Sequence, residues 1–259
     1  MKLGSMKAPW GDQVKGSWWK ALLIVIVYFV LRVMFESWMY AQGALKVTAE
    51  PTLDMLQDPE FLGQVFQVTQ VESVVGGILL TLFVIGVSYK VGFRFFQFKA
   101  MNWKNILQAL GIYLGFFALQ IAWGALVTQV APEYTQPDNQ TLVQEMVGNM
   151  NLIYAFITVV IIAPVVEEYL LRGLIMKYIF TYTPVLGFIV SSIIFALLHS
   201  PANWIDFTTY FILSACLAGV YWYSRRLEYS IFLHMVQNLI GFLTIISMSW
   251  RVSASSFLK

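Results

Sequence analysis

A chain of 259 residues with 59% hydrophobic and 12% charged side chains, and a mean hydropathy of +0.70, has too little polar surface to cover a water-soluble globule. Lipid is therefore much of its solvent. A net charge of +2, scattered along the chain, forms no basic patch and excludes nucleic acid as an expected partner.

The opening MKLGSM carries a Gly-Ser step before a second Met, so the native start is read as Met6 and residues 1–5 are set aside. Residues 1–17 read as a cytoplasmic N-terminal segment. Apolar stretches of about 17 to 25 residues then give seven expected spans, at approximately 18–40, 68–90, 105–130, 151–180, 184–200, 206–224 and 230–250. Each must be helical, because backbone groups in hydrocarbon have no water to bond. The expected fold class is all-α, a polytopic transmembrane helical bundle of about seven spans with an intramembrane polar site. Trp18, Trp19, Trp103, Trp222 and Trp250 fall near the ends of these runs, where amphipathic rings meet headgroups. No small-residue cleavage site follows the first run, which reads as a span rather than a removable signal peptide. Arg32 and Glu36 within it are four apart and read as a structural ion pair.

Basic residues in short loops set the expected orientation. Lys7, Lys15 and Lys20, then Lys90, Arg94, Lys99 and Lys104, then Arg225 and Arg226 fall on one side of seven alternating spans. Glu50, Asp54, Asp58, Glu60, Glu133, Asp138 and Glu145 fall on the other. The N-terminus is thus expected in the cytoplasm and the tail, 251–259, outside, with Arg251 and Lys259 pulling against that. There is no internal repeat and no linker that would separate a second folded domain. Residues 18–149 read as N-terminal transmembrane helices and 150–250 as the core that carries chemistry. The single cysteine, Cys216, lies in an apolar run, which precludes an intrachain disulfide and a Cys-based zinc site.

An ionisable side chain in a bilayer core costs at least about 2.5 kcal/mol on insertion scales, so each one needs a reason. Those that stand out are Glu167, Glu168 and Arg172 in the fourth span, His199 at the end of the fifth, and His234 with Asn238 in the seventh. Glu168 and Arg172, four apart, suit an ion pair that lowers the cost of burying either. Glu167 is rotated by about 100° from Glu168 and faces elsewhere. His234 and Asn238, also four apart, can point into one cavity. Pro164, three residues before the carboxylates, removes a backbone hydrogen bond and invites a kink. Asn203 and Asp206 read as a loop and helix-cap feature.

The run Ala163 to Gly173 (APVVEEYLLRG) resembles the EExxxR motif of the CAAX-protease and bacteriocin-processing family, also called the Abi family. Phe195 to His199 resembles its FxxxH motif, and His234 to Asn238 its HxxxN/D motif. The order and the spread over three helices agree. Leu171 stands where many members carry Phe, which bears on packing rather than chemistry. The likeness runs from about residue 150 onward, and the first three spans rest on hydropathy alone.

What the resemblance implies is an intramembrane endopeptidase. The carboxylate matching Glu167 would activate water, helped by the histidine matching His199, while the groups matching His234 and Asn238 would stabilise the oxyanion. Glu168 and Arg172 would orient the base. The physics is coherent, since a carboxylate can take a proton from water and a neutral imidazole or amide can donate to developing negative charge. No cofactor is implied. The expected partners are the lipid bilayer and a membrane-associated peptide or protein substrate, such as a bacteriocin or signalling peptide, in the multi-pass setting of a bacterial cell membrane. One alternative is a zinc metalloprotease with His199, His234 and Glu167 as ligands and Glu168 as base, although the chain lacks an HExxH helix. Another is a non-proteolytic bacteriocin-immunity or scaffold protein, or a small transporter with a proton path.

Overall fold

The computed structural model describes residues 18–96 and 103–256, with side chains through residue 248. Every regular element among them is helical, in the order α1 (Trp18–Val47), α2 (Pro59–Val91), α3 (Trp103–Val130), α4 (Asp138–Asn149), α5 (Leu152–Ile179), α6 (Pro184–Leu198), α7 (Trp204–Ser224) and α8 (Leu227–Ser256). A short 3-10 turn, Asp54–Gln57, precedes α2. Lys7, Lys15, Lys99 and Lys259 lie outside the described residues.

Six of these helices are long and apolar enough to cross a membrane, so the chain is a multi-pass membrane protein. The fifth expected span, 184–200, is shorter than the other six. At 15 residues, α6 reaches only about 22 Å, against roughly 30 Å of hydrocarbon. Its end is chemical: Ser200 turns left-handed, with a φ of 48°, and Pro201 cannot continue the helix. At the other extreme, α2 starts nine residues before the apolar run does. Asp58 accepts from the Glu60 N–H at 3.2 Å, and Pro59 takes the first helical position, where its missing N–H costs nothing. Helix α4 occupies a stretch that hydropathy reads as an acidic loop.

The chain packs as two compact units. One comprises the described parts of 1–27, 85–138 and 166–234. Its core joins Ala109 and Tyr113 of α3, Cys216, Leu217 and Val220 of α7, and Tyr229 and Leu233 of α8. Small residues on α7 allow the close approach: a Cβ on Gly219 would meet the Phe116 ring at 3.1 Å. The apolar window of α7 is 61% buried, against 11% for α3, so α7 is the more enclosed of the two. Residues 93–96 lie along the last turns of α5. There the Tyr178 hydroxyl accepts the Arg94 N–H at 2.9 Å, and a Cβ on Gly173 would come within 2.7 Å of the Phe95 ring.

The other unit comprises the described parts of 28–84, 139–165 and 235–259. Val143, Met146 and Val147, at helical spacing, carry the apolar face of α4 onto Phe66, Ala155, Val160, Phe242 and Ile245, joined by Met150 just beyond the helix end. Arg32 and Glu36 form the ion pair that their spacing suggests, at 2.8 Å, with both side chains half-buried. Hydroxyls on the long helices turn inward to their own backbones: Thr69 donates to Val65 O and Thr81 to Gly77 O, each at 2.7 Å. That habit removes unsatisfied donors from a solvent that offers no partner.

Helix α5 departs from α geometry twice. Ile157–Ile162 and Tyr169–Ile179 are π-helical, and the α-helical turn Ala163–Glu168 lies between them. Wide turns of this kind are rare and cluster at functional sites. In the first stretch Ala163 N–H donates to Thr158 O, five residues back, and continuing that register Val159 O would receive from residue 164. Residue 164 is proline and has no N–H. The disturbance expected at Pro164 is thus a widened turn that leaves one carbonyl without its backbone donor.

Candidate active site

Four helices of the first unit bring the polar residues together. Glu167, Glu168 and Arg172 come from α5, Phe195 and His199 from the end of α6, Ser214 from α7, and Ser230 and His234 from α8.

Glu168 and Arg172 are both fully buried, with Arg172 Nε 3.2 Å from Glu168 Oε2. The guanidinium is held further by Nη2 donating to Ser214 O at 2.8 Å and to Ser214 Oγ at 2.9 Å. It also lies 5.5 Å over the Phe195 ring. Glu168 is shared more widely than the spacing alone suggests. The Ser230 hydroxyl sits against its Oε2 in a short hydrogen bond, and His234 Nδ1 is 3.2 Å from its Oε1. With donors on both oxygens this carboxylate is fixed, and its charge is met by a guanidinium within the same enclosure.

That arrangement also fixes the His234 ring. A nitrogen facing a carboxylate oxygen carries a hydrogen, so Nδ1–H points to Glu168 and Nε2 points the other way. There it meets Glu167 Oε2 at 3.8 Å, longer than a direct hydrogen bond but within reach of a small side-chain adjustment. One imidazole thus lies between two neighbouring carboxylates in different surroundings. Glu168 holds it. Glu167 faces its other nitrogen and keeps 19% of its side chain exposed, while its Oε2 is buried without a hydrogen-bond partner. A carboxylate oxygen in that state is costly unless a proton or an incoming donor satisfies it.

His199 Nδ1 is 2.8 Å from Phe195 O, which can only accept, so the hydrogen is on Nδ1, and in the neutral form of the ring Nε2 is an acceptor. The ring stacks on Phe195 at 4.4 Å and on Tyr210 at 4.2 Å. Phe195 also contacts the His234 ring at 5.7 Å, so one buried phenyl group joins both imidazoles and the guanidinium. Glu167, Glu168, Arg172, His199 and His234, all named from sequence, therefore fall in one cluster. Among the described residues no group of three or more His, Cys, Asp and Glu side chains is arranged to hold a metal ion. Glu168, the base in a zinc reading, is engaged instead by Arg172, Ser230 and His234.

Asn238, one turn beyond His234 on α8, belongs to the second unit. Its Nδ2 donates at 2.8 Å to Val159 O, the carbonyl that Pro164 leaves without a backbone donor. Removing the amide should strand that carbonyl, so Asn238→Leu is expected to lose about 1–3 kcal/mol of stability. Adding Pro164→Ala, which restores an N–H, should recover part of the loss. Thermal unfolding in detergent checks both, and an additive double variant would refute the coupling.

Sequence reasoning missed Ser214, Ser230 and Tyr210. Ser230, His234 and Asn238 stand at positions i, i+4 and i+8, a polar stripe down one face of an apolar helix, and that was the available signal.

Residues 149–240 match the family model described as Type II CAAX prenyl endopeptidase Rce1-like. The UPF0177 protein YajF of Lactococcus lactis subsp. lactis (strain IL1403) is 29% identical over 150 residues, covering 58% of this chain and 71% of its own. The UPF0177 protein YaiF of the same strain is 29% identical over 174 residues, with 64% and 77% covered. A third, UPF0177 protein YxdF, is 28% identical over 166 residues, with 63% and 89% covered. No solved structure matches. The segment matched by the family model contains every site residue named above, together with Asn238.

Proposed function

We propose that this chain, whose residues 149–240 match the Rce1-like model of CAAX-type endopeptidases, hydrolyses a peptide bond by glutamate- and histidine-assisted attack of water. The observation that carries the reading is the Glu167–His234–Glu168 array, in which one carboxylate is anchored and the other has a buried oxygen without a donor. Glu167 takes a proton from water, and the water oxygen bonds to the scissile carbonyl carbon. His199, whose Nε2 is an acceptor, helps to orient the attacking water, and His234 Nε2 shares the proton in transit with Glu167. Collapse of the tetrahedral intermediate breaks the C–N bond, and the proton on Glu167 passes to the leaving nitrogen. The family motif implies Asn238 as a further hydrogen-bond donor to the oxyanion, and one of its amide hydrogens goes to Val159 O.

The substrate class is a membrane-associated peptide or membrane protein, met from the lipid by a multi-pass enzyme of a bacterial cell membrane with its N-terminus in the cytoplasm. The test is reconstitution of the purified chain into liposomes with a library of single-span membrane peptides, read by mass spectrometry. Cleavage that survives chelators and vanishes in Glu167→Gln is expected. Cleavage abolished by chelator and restored by zinc would replace this mechanism with a metal-dependent one, and a folded wild-type chain that cuts nothing would favour a scaffold.

A further inference from the structure

His199 stands where the chain turns sharply. It closes α6, and the next residue, Ser200, holds a left-handed φ of 48°, a conformation that a non-glycine residue keeps only when its surroundings impose it. Two residues on, the turn is tied down. The Ala202 N–H donates to Asp206 Oδ2 at 3.0 Å, and the other oxygen of that carboxylate, Oδ1, accepts the Tyr134 hydroxyl at 2.6 Å. Asp206 is itself fixed, being buried in the first turn of α7 with its N–H on Asn203 Oδ1 at 3.0 Å. Burial, then the bond to Asp206, pushes the Tyr134 phenol well above its usual range, so the hydroxyl keeps the hydrogen it donates.

The same stretch of α7 reaches the imidazole directly. Tyr210, one turn beyond Asp206, stacks on the His199 ring at 4.2 Å. The start of α7 is clasped in turn by the end of α3 and the residues after it: Val127 and Ala131 pack on Ile205, and Trp123 Nε1 donates to Thr209 Oγ1 at 2.9 Å. Asp206 is thus more than a helix cap. It links a rigid helix start, the strained turn beside His199, and a tyrosine from residues that the family model does not match.

We propose that Asp206, braced by Tyr134, is a positioning residue that sets the His199 imidazole by pinning the Ser200 to Ala202 turn. The inference rests on the reading of His199 as part of an active site, and it makes the chain ahead of the matched segment a structural contributor to that site. It touches no reacting atom.

The chain has two histidines, so histidine-selective 15N NMR of the whole protein in detergent resolves the question without a substrate. In the wild type, His199 should show the Nδ1–H tautomer that Phe195 O imposes. Asp206→Ala should move the His199 signals toward a tautomer average and leave those of His234 in place. Asp206→Asn, which keeps an acceptor for the Ala202 N–H, should restore them, and Tyr134→Phe should shift them in the same direction by less. On a peptide that the wild type cleaves, Asp206→Ala should lower kcat by about a hundredfold, the scale of a misplacement of about 1 Å, with little change in KM. His199 signals at their wild-type positions in Asp206→Ala, or equal shifts at His199 and His234, would overturn the proposal. Should Asp206→Ala fail to fold, Tyr134→Phe carries the same comparison. A wild type that cleaves nothing counts against the proteolytic reading alone, because the NMR comparison stands without it.

Discussion

Glu167→Gln, purified and folded, is expected to cleave at least about a hundredfold more slowly than the wild type, the usual scale for a positioned acid-base group. The reason lies in the different surroundings of two adjacent carboxylates. Glu168 is fully buried, with a donor on each oxygen and an arginine beside it, so both of its oxygens are already engaged. Glu167 is partly exposed, has a buried oxygen without a donor, and faces an imidazole whose other nitrogen is anchored. Glutamine preserves shape and volume but cannot take the proton. His199→Ala should fall to a similar level, since its Nδ1 hydrogen is already directed to Phe195 O and its role rests on Nε2. Steady-state rates in liposomes check both, and near wild-type turnover in either folded variant would remove that residue from the mechanism.

Arg172→Met should cost about 3–5 kcal/mol of stability, the scale for leaving one partner of a buried pair uncompensated. Both Arg172 and Glu168 are fully buried. Without the guanidinium, Glu168 would keep only Ser230 and His234, and Ser214 O would lose its donor. Neutralising the stranded charge as well should return most of the loss, because an apolar or neutral replacement of a whole buried pair is often tolerated. The double variant Glu168→Gln/Arg172→Met is therefore expected to unfold at a higher temperature than Arg172→Met alone. A single variant as stable as the wild type would mean that the pair is not enclosed as described.

Most of the cluster was legible in the sequence because hydrocarbon makes polarity conspicuous. In an apolar run, Glu167, Glu168, Arg172, His199 and His234 have few structural excuses, and helical spacing joins Glu168 to Arg172 without any tertiary information. The sharing of His234 between both carboxylates was not legible. Rotation by about 100° per residue assumes a regular helix, whereas α5 passes into π geometry on both sides of the pair. Ser214, Ser230 and Asp206 escaped for a different reason. Hydroxyls and a helix-cap aspartate are ordinary in sequence, and only packing shows that one anchors a carboxylate and another the turn beside His199. Length misled in one place. An apolar run at 184–200 suggested a full span, and Ser200 with Pro201 stops α6 at 15 residues.

The most direct test compares the termini of membrane peptides from cells carrying the wild-type chain with those from cells carrying Glu167→Gln at equal abundance. New peptide ends that appear with the wild type and disappear with the variant are the expected result, and their sequences would name the substrate. Identical sets of ends, from chains shown to be folded and inserted, would contradict hydrolysis at Glu167.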